Sequence, residues 1–145
     1  MPGSDSGGID PLTDFLGFRW EAANRIRLTI RDELINPAGL LSGPVVYALV
    51  DYCMGSALWV ERSEGERIAT IGISINYVQT AREGEVVCES TLDRRNDRVA
   101  LLHSEVRHDD GRLLATATGS FSIFPRERLG GHERRPPAPP SAEGD

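Results

Sequence analysis

One segment departs from the two-residue alternation that dominates the rest of the sequence. It runs from Ser42 to Val60, reads SGPVVYALVDYCMGSALWV, and has Asp51 as its only charged residue. Its length and its apolar character on all sides are typical of a helix enclosed by other structure. Ser42 is a suitable N-cap, and Pro44 fits the first turn because the first amides of a helix lack intrahelical acceptors. The rest of the chain must therefore supply a sheet that covers this helix.

Outside the predicted helix, the hydrophobic residues recur with a period of two, which indicates strands with one buried face. Ile26, Leu28 and Ile30, for example, alternate with arginines and a threonine. Strands are predicted at residues 17–31, with a break near 22–24, and at 71–77, 85–92, 99–107 and 112–124. Polar turns at 93–97 and 109–111 predict hairpins, so the last four strands are expected to form an antiparallel meander. The predicted fold class is α+β, an antiparallel sheet wrapped around one long central helix.

The length of 145 residues fits one domain, because a second would need about another 100 residues. We place this domain at residues 11–125. Residues 1–10 are rich in Gly, Ser and Asp, and residues 126–145 are rich in Pro and Arg. Both segments lack the apolar residues that would offset the entropy of ordering, so both are expected to be disordered tails. No secretory leader is evident, which makes the cytoplasm the expected location.

Charge and cysteine placement argue against several classes of function. The formal net charge is −6, and a negative body repels phosphodiester backbones, so no nucleic-acid partner is expected. The apolar segment at 42–60 is interrupted by Asp51 and two glycines, so no membrane span is expected. Cys53 and Cys88 are far apart in sequence, with no His at metal-ligand spacing. We therefore expect neither a disulfide framework nor a metal site.

Asp51 needs an explanation because it lies in the middle of the apolar segment. Taking an ionised carboxylate out of water without a partner costs on the order of several kcal/mol, a large part of the stability of a small domain. One explanation is structural: the side chain emerges at an edge of the helix and meets water or an arginine. The other is functional, namely that Asp51 is a catalytic carboxylate.

Two motifs near Asp51 resemble those of a known family. The first reads NPAGLLSGP from Asn36 to Pro44, and Asp51 follows Gly43 by eight positions. It resembles the motif of hotdog-fold thioesterases of the phenylacetate-degradation type. In these, an Asn, a Gly three residues later and a His-Gly-Gly triplet precede an acidic residue, which lies eight positions after the first Gly of the triplet. The second motif, ISINYVQTAREGE at residues 73–85, resembles the strand and turn that follow the helix in that family. Over residues 11–124, the resemblance implies a hotdog fold.

The resemblance also implies an acyl-CoA thioesterase, acting on a small or medium acyl-CoA or aryl-CoA thioester, and suggests roles for four residues. Thioester hydrolysis needs a donor that stabilises the oxyanion and a base or nucleophile that delivers oxygen. The Gly43 N–H, at the helix N-terminus, would be the oxyanion donor, and Asp51 would be the general base or the nucleophile. Asn36 would orient the water or the acyl group, and Thr70 would hold the water. No cofactor is expected, because coenzyme A is part of the substrate.

Each of three roles has a competing structural interpretation. Asn36 precedes a proline and suits a turn, Gly43 suits a helix entry, and Thr70 suits any β-strand. These alternatives stay open from sequence alone.

Partners also follow from the resemblance. In this family the Asn and the Gly come from one subunit and the acid from the other, which implies a homodimer with shared active sites; a homotetramer stays open. Arginine forks match phosphate oxygens, so Arg82, Arg94 and Arg95 are candidates to bind coenzyme A. A solvated surface charge is the competing interpretation for each arginine.

The sequence departs from the family motif at two positions. Ser42 replaces the usual His, and Pro44 replaces the second Gly, which removes an imidazole and one amide donor. A non-catalytic hotdog protein that binds an acyl thioester or another small ligand is therefore the alternative function. A hotdog hydratase or dehydratase is a third hypothesis; it needs an Asp–His pair, and His103 and His108 lie far from the helix start in sequence.

Overall fold

A computed structural model describes residues 8–125. The tails predicted at residues 1–10 and 126–145 therefore lie outside the described residues, apart from residues 8–10. The elements are α1 (Pro11–Leu16), β1 (Arg19–Ala22), β2 (Arg25–Thr29), a 3-10 turn (Asp32–Leu34), α2 (Gly43–Trp59), β3 (Glu66–Tyr77), β4 (Glu85–Arg95), β5 (Val99–His108) and β6 (Leu113–Pro125).

The six strands form one antiparallel sheet in the order β1-β2-β4-β5-β6-β3, and α2 packs against one face of it. Alternate residues of β5 show why: Ala100, Leu102, Ser104 and Val106 are buried, and the residues between them are exposed. This arrangement of one long helix against a curved antiparallel sheet is the hotdog fold, and the predicted fold class is confirmed.

The predicted four-stranded meander is wrong in one respect. Only β4, β5 and β6 form a meander, whereas β3 lies at the sheet edge beside β6 and does not pair with β4. The reason is that both sides of β4 are already occupied, by β2 and by β5. The chain after β3 crosses β6, where the Leu114 carbonyl accepts hydrogen bonds from the Val78 and Gln79 amides. β3 is thus a twelve-residue edge strand.

The central helix α2 agrees with the prediction to within one residue at each end. Leu49, Val50, Cys53 and Met54 are fully buried beneath the sheet, which accounts for the apolar character of the segment. Ser42 takes the N-cap position, but its hydroxyl makes no capping bond. Its backbone carbonyl instead accepts hydrogen bonds from the Val45 and Val46 amides, which any residue at this position could do.

The short helix α1 is an element that the strand pattern does not predict. Asp10 is its N-cap and accepts a hydrogen bond from the Thr13 amide, while the Thr13 hydroxyl bonds back to the backbone of Asp10. This capping box starts the helix, and Pro11 suits its first position. Gly17, with φ of 80°, ends it in the left-handed conformation. α1 thereby packs its Leu16 into the core and leaves Leu12 exposed.

Candidate active site

An apolar groove of about 790 Å³ lies between α2, β3 and the start of α1. Asp51, Tyr52 and Ser56 line it from the helix, and Thr70 lines it from the strand. The remaining wall is almost entirely apolar and is formed by Ile9, Leu12, Tyr47, Ala48, Gly55, Trp59, Ile68, Ala69 and Phe121. Such a groove, with few polar groups in an apolar wall, is typical of a site for a small organic ligand.

Asp51 lies half-buried in this groove, on the side of α2 that faces β3. The hydroxyl of Thr70 donates a hydrogen bond of 2.8 Å to Asp51 Oδ1. A bulge in β3 between Thr70 and Gly72 shifts the register of the strand at this point. Bulges often re-aim a side chain next to a functional site. The carboxylate therefore has one oxygen held by the strand and faces a cavity that can take a ligand.

Tyr52 connects the groove to the N-terminal segment. Its hydroxyl donates a hydrogen bond of 2.8 Å to Asp10 Oδ2, and its ring makes edge contacts with Phe18 and Trp20. Burial, together with the bond to Asp10, raises the pKa of Tyr52 to about 12. The Thr13 amide, with the Tyr52 hydroxyl in support, lowers the pKa of the Asp10 carboxyl. The pair is thus a neutral phenol that donates to an ionised carboxylate.

Gly43 lines a different and smaller cavity, of about 190 Å³, at the N-terminal end of α2. As the first residue of the helix, Gly43 has an N–H without an intrahelical acceptor, at the positive end of the helix dipole. Its carbonyl accepts a 2.8 Å hydrogen bond from the Tyr77 hydroxyl. Partial burial of the hydroxyl, with Tyr47 nearby, raises the pKa of Tyr77, so this phenol remains a donor. The helix start is thereby tied to the end of β3.

Asn36 lines the same small cavity and also builds a turn. Its Oδ1 accepts hydrogen bonds from the amides of Ala38 and Leu40, at 3.0 and 3.1 Å. Gly39 closes the turn with φ of 81°, which explains the three-residue spacing between the Asn and the Gly. The structural interpretation of Asn36 is correct for Oδ1. Because Oδ1 faces the turn, Nδ2 is the atom of the amide that can donate to a ligand.

Within one subunit, the Gly43 end and the Asp51 groove are separate places. Asp51 follows Gly43 by eight residues, which corresponds to about 12 Å along a helix axis. A carbonyl carbon within about 3 Å of both groups would need them much closer, because reacting atoms meet at about 3–3.5 Å. The structure thus brings Asp51 together with Thr70, and Gly43 together with Asn36, but does not bring the two pairs together.

The three arginines predicted to bind coenzyme A are not clustered. Arg82 lines a polar cavity beside the Gly43 cavity, with which it shares Thr80 and Ala81. Arg94 and Arg95 lie at the other end of β4, about 30 Å from its first residue at the usual rise per residue in a strand. Arg95 makes a paired contact with Glu66, which holds the pKa of Glu66 at about 2. The coenzyme A roles of all three arginines stay predictions.

At the Arg82 cavity, sequence reasoning missed Arg112 and considered His108 only for a hydratase. Arg112 donates to the Thr80 carbonyl and pairs with Asp110, so it is held at the cavity wall. His108 Nε2 contacts the Glu83 carbonyl at 2.7 Å, close beneath Gly84. No motif marks these residues, because only the hairpin between β5 and β6 brings them to the loop after β3.

Residues 8–125 contain two Asp–His pairs of the kind a hydratase needs, but both lie away from the Asp51 groove. In one of them, His108 Nδ1 is 3.3 Å from Asp110 Oδ1. His103 Nδ1 is 2.7 Å from Asp93 Oδ1, and both side chains are nearly half exposed. His103 lies between the buried residues Leu102 and Ser104 of β5, so it points away from α2. Neither His103 nor His108 lines the groove of Asp51. The hydratase hypothesis therefore has no support from the site.

Two further findings apply to residues 8–125. No group of three or more His, Cys, Asp or Glu side chains is placed there to hold a metal ion. The helices described in that range are all too short or too polar to cross a bilayer.

Fold and site together define the class of protein. The model of the thioesterase superfamily matches residues 38–115, which include Gly43, Asp51, Thr70 and Arg82. The chain belongs to the thioesterase superfamily. This membership supports thioester hydrolysis as the class of reaction.

Known proteins from several bacteria are similar to this chain. PA0474 of Pseudomonas aeruginosa, a candidate esterase, is 28% identical over 119 residues, which cover 78% of this chain and 88% of PA0474. The crystal structure of thioesterase HI1161 from Haemophilus influenzae has a TM-score of 0.77 at 18% identity, covering 81% of this chain and 85% of that one. The structure of BH2602 from Bacillus halodurans with CoA has a TM-score of 0.74 at 21% identity, covering 78% and 75%. Both structures show the hotdog fold of this chain.

Proposed function

We propose that the protein is an acyl-CoA thioesterase whose active site forms between two subunits. Asp51 and Thr70 of one subunit and Gly43 and Asn36 of the other would surround the same thioester. The observation that carries this proposal is the Asp51–Thr70 hydrogen bond in an apolar groove, set about 12 Å along the helix from the Gly43 amide. A second subunit supplies the missing partner for each half.

The chemistry assigns one task to each group. Water or Asp51 itself attacks the thioester carbonyl carbon; in the first case Asp51 takes the proton of the water, and in the second it forms a mixed anhydride. The Gly43 N–H donates to the carbonyl oxygen as negative charge develops there. Collapse of the tetrahedral intermediate releases the thiolate of coenzyme A, which then takes up a proton. On the nucleophile route, a water molecule then hydrolyses the anhydride, which releases the carboxylic acid and restores Asp51. Thr70 holds the carboxylate in one orientation, and Asn36 Nδ2 donates to the acyl oxygen or the water.

The edge strand β3 supports assembly of two subunits. Its outer side leaves the strand's hydrogen-bonding groups available to another chain. Ile71 is 60% exposed in the middle of β3, and Tyr77 and Val78 are about half exposed at its end. Antiparallel pairing of β3 with its copy would cover these residues in a two-fold symmetric contact. It would also place the Thr70 region of each subunit near the other subunit.

Coenzyme A as the leaving group is supported by the loop after β3. Arg82 and Arg112 lie beside the cavity of Gly43, with which their own cavity shares two wall residues. A pantetheine arm running from Gly43 along Thr80 and Ala81 would reach these guanidinium groups, which match phosphate oxygens in charge and shape. The phosphates would then bind the subunit that supplies the oxyanion donor.

The proposal is tested by thiol release from a panel of acetyl-, hexanoyl-, benzoyl- and phenylacetyl-CoA. Wild type is expected to hydrolyse at least one of them, and Asp51→Asn is expected to lower kcat by roughly 10³-fold, because it removes the base but keeps the shape and the contact with Thr70. If Asp51→Asn unfolds at the same temperature as wild type, the loss of activity comes from the missing carboxylate and not from a damaged fold. Equal hydrolysis by both proteins would refute the role of Asp51.

Binding without hydrolysis is the outcome that would favour the alternative, a non-catalytic acyl-thioester binding protein. The specific observation behind it is Ser42, whose hydroxyl takes no part in capping and stands where the family has an imidazole. Calorimetry with the same acyl-CoA panel would detect that binding. If the wild-type protein binds acyl-CoA and releases no thiol, the thioesterase hypothesis is wrong and the binding-protein hypothesis takes its place.

A further inference from the structure

The N-terminal segment contributes two apolar side chains to the wall of the groove. Ile9 precedes α1 and is 48% exposed, and Leu12 lies in the first turn of α1 and is 51% exposed. Both line the same cavity as Asp51. Two adjacent, half-exposed aliphatic residues that face a cavity lose water contact when an apolar ligand fills it. Burial of these two side chains would therefore stabilise a bound apolar ligand.

A set of hydrogen bonds centred on Asp10 holds this segment against α2. The Tyr52 hydroxyl donates to Asp10 Oδ2, and Asp10 Oδ1 accepts from the Thr13 amide and the Thr13 hydroxyl. One carboxylate thus caps α1 and at the same time ties it to the residue that follows Asp51. Thr13, which holds the other oxygen of this carboxylate, is fully buried. The position of Ile9 and Leu12 relative to Asp51 depends on these few bonds.

We propose that Ile9 and Leu12 are specificity-determining residues that limit the length of the acyl group, and that Asp10 and Tyr52 are the positioning residues that hold them. This inference rests on the proposed function, since it assigns the groove to the acyl group. The carbonyl lies at Asp51, the acyl chain extends along the apolar wall, and the N-terminal segment closes the far end. A longer chain meets Ile9 and Leu12, whereas a short one does not reach them.

Phe15 provides a matched control on the same helix. It is 59% exposed, and the guanidinium of Arg31 lies over its ring at 5.1 Å. Phe15 does not line the groove. Substitution of Phe15 therefore removes an exposed apolar side chain from α1 without changing the cavity wall.

The test uses binding, so that it does not depend on turnover. S-alkyl-CoA thioethers from ethyl to dodecyl are titrated calorimetrically into the full-length protein. In wild type, affinity is expected to rise about threefold per added methylene until the chain meets the wall, after which it levels off. Ile9→Ala and Leu12→Ala are expected to move this limit to chains longer by about two methylenes, because they open space at the end of the groove. Leu12→Trp is expected to move it to shorter chains.

Tyr52→Phe tests the positioning role, since it keeps the ring contacts with Phe18 and Trp20 and loses only the hydroxyl. It is expected to weaken the length limit while leaving the affinity for S-ethyl-CoA within about twofold of wild type. A merely structural role would instead lower the affinity for every chain length equally. Phe15→Ala is expected to keep the wild-type profile.

The outcomes separate this inference from the proposed function. A wild-type length limit that stays in place in Ile9→Ala, Leu12→Ala and Leu12→Trp would overturn the inference, and so would an equal shift in Phe15→Ala. Absence of any chain-length dependence in wild type would also overturn it. Absence of thiol release, with the length limit and its shifts as expected, would refute the hydrolase and leave the acyl groove established.

Discussion

The N-terminal end and the middle of α2 carry the two halves of the candidate site, and these halves are built in different ways. The Gly43 half depends largely on local structure: Asn36 accepts from amides two and four residues away, and the helix starts at Gly43 itself. The Asp51 half depends on distant contacts, because Thr70 is 19 residues away and the bond between Tyr52 and Asp10 spans 42 residues. An oxyanion donor can thus form with one turn and one helix end, whereas the carboxylate needs the packed sheet.

The two halves also suit different chemical tasks. The Gly43 half offers N–H groups and lies beside arginines, so it suits developing negative charge and phosphates. The Asp51 half offers one carboxylate in an apolar groove, so it suits an apolar acyl group and a base. Under the proposed function, hydrolysis needs both halves, each from a different subunit.

The largest expected effect beyond loss of Asp51 comes from the Gly43 amide. Gly43→Pro removes the N–H, and proline is tolerated in the first turn of a helix, so we expect kcat to fall by roughly 10²- to 10³-fold. Gly43→Ala keeps the N–H and places its Cβ 3.4 Å from the Tyr77 ring, an ordinary contact. We expect Gly43→Ala to stay within about tenfold of wild type. Equal losses in both variants, measured by steady-state kinetics, would mean that shape and not the amide matters at this position.

Mixing the two defects tests whether the halves belong to different subunits. Unfolding and refolding Asp51→Asn together with Gly43→Pro should produce heterodimers in which one of the two shared sites is fully wild type. Random assembly then restores about a quarter of the wild-type activity, although each variant alone is nearly inactive. Refolded wild type is the control for recovery. No restoration, with mixed dimers demonstrated by differently sized tags, would place Gly43 and Asp51 of one chain in the same site.

The contact between Thr70 and Asp51 should have a smaller effect. Thr70→Val keeps the shape of the side chain and removes the hydroxyl, so the carboxylate loses its fixed orientation and kcat is expected to fall about tenfold. Thr70→Ser keeps the hydroxyl and should stay close to wild type. If Thr70→Val and Thr70→Ser lose the same activity, packing of the methyl group is the property that matters.

The smallest expected effect is a pH dependence confined to the Asp51 half. The pKa of Asp10 is lowered by the Thr13 amide, so its contribution to the stability of α1 is present above about pH 4 and is lost as the pH falls through that lowered pKa. Hydrogen exchange, corrected for intrinsic rates, should show protection of α1 falling by about tenfold or less below pH 4. Asp10→Asn should show no such pH dependence, because its amide can still cap the helix. The turn at Asn36 should be unaffected in both proteins.

Much of the fold could be predicted from local patterns. The apolar segment predicted α2 to within one residue, and the break near residues 22–24 matches the gap between β1 and β2. The position of β3 could not be predicted, because short connections favour neighbouring strands and say nothing about which edges are already paired. Whether β4 pairs with β2 or with β3 depends on the whole sheet.

The same distinction applies to the site. The spacing and the family motif identify Gly43 and Asp51 as candidate site residues. They do not predict that the two residues line separate cavities. Asp10, Pro11 and Thr13 do form a recognisable capping signal, but their Gly- and Ser-rich surroundings favour a tail. The pairing of Asp10 with Tyr52 has no local signal at all. It exists because α1 packs beside α2 only in the folded chain.

The sequence by itself determined the class of fold, the central helix and the eight-residue spacing between Gly43 and Asp51, because periodicity and helix geometry act over short distances along the chain. Only the tertiary structure decided that Thr70 holds Asp51, that Ile9 and Leu12 line the groove and that β3 lies at an edge. These contacts join residues far apart in sequence, and they form because burying the apolar faces of the helix and the sheet leaves each element with one position.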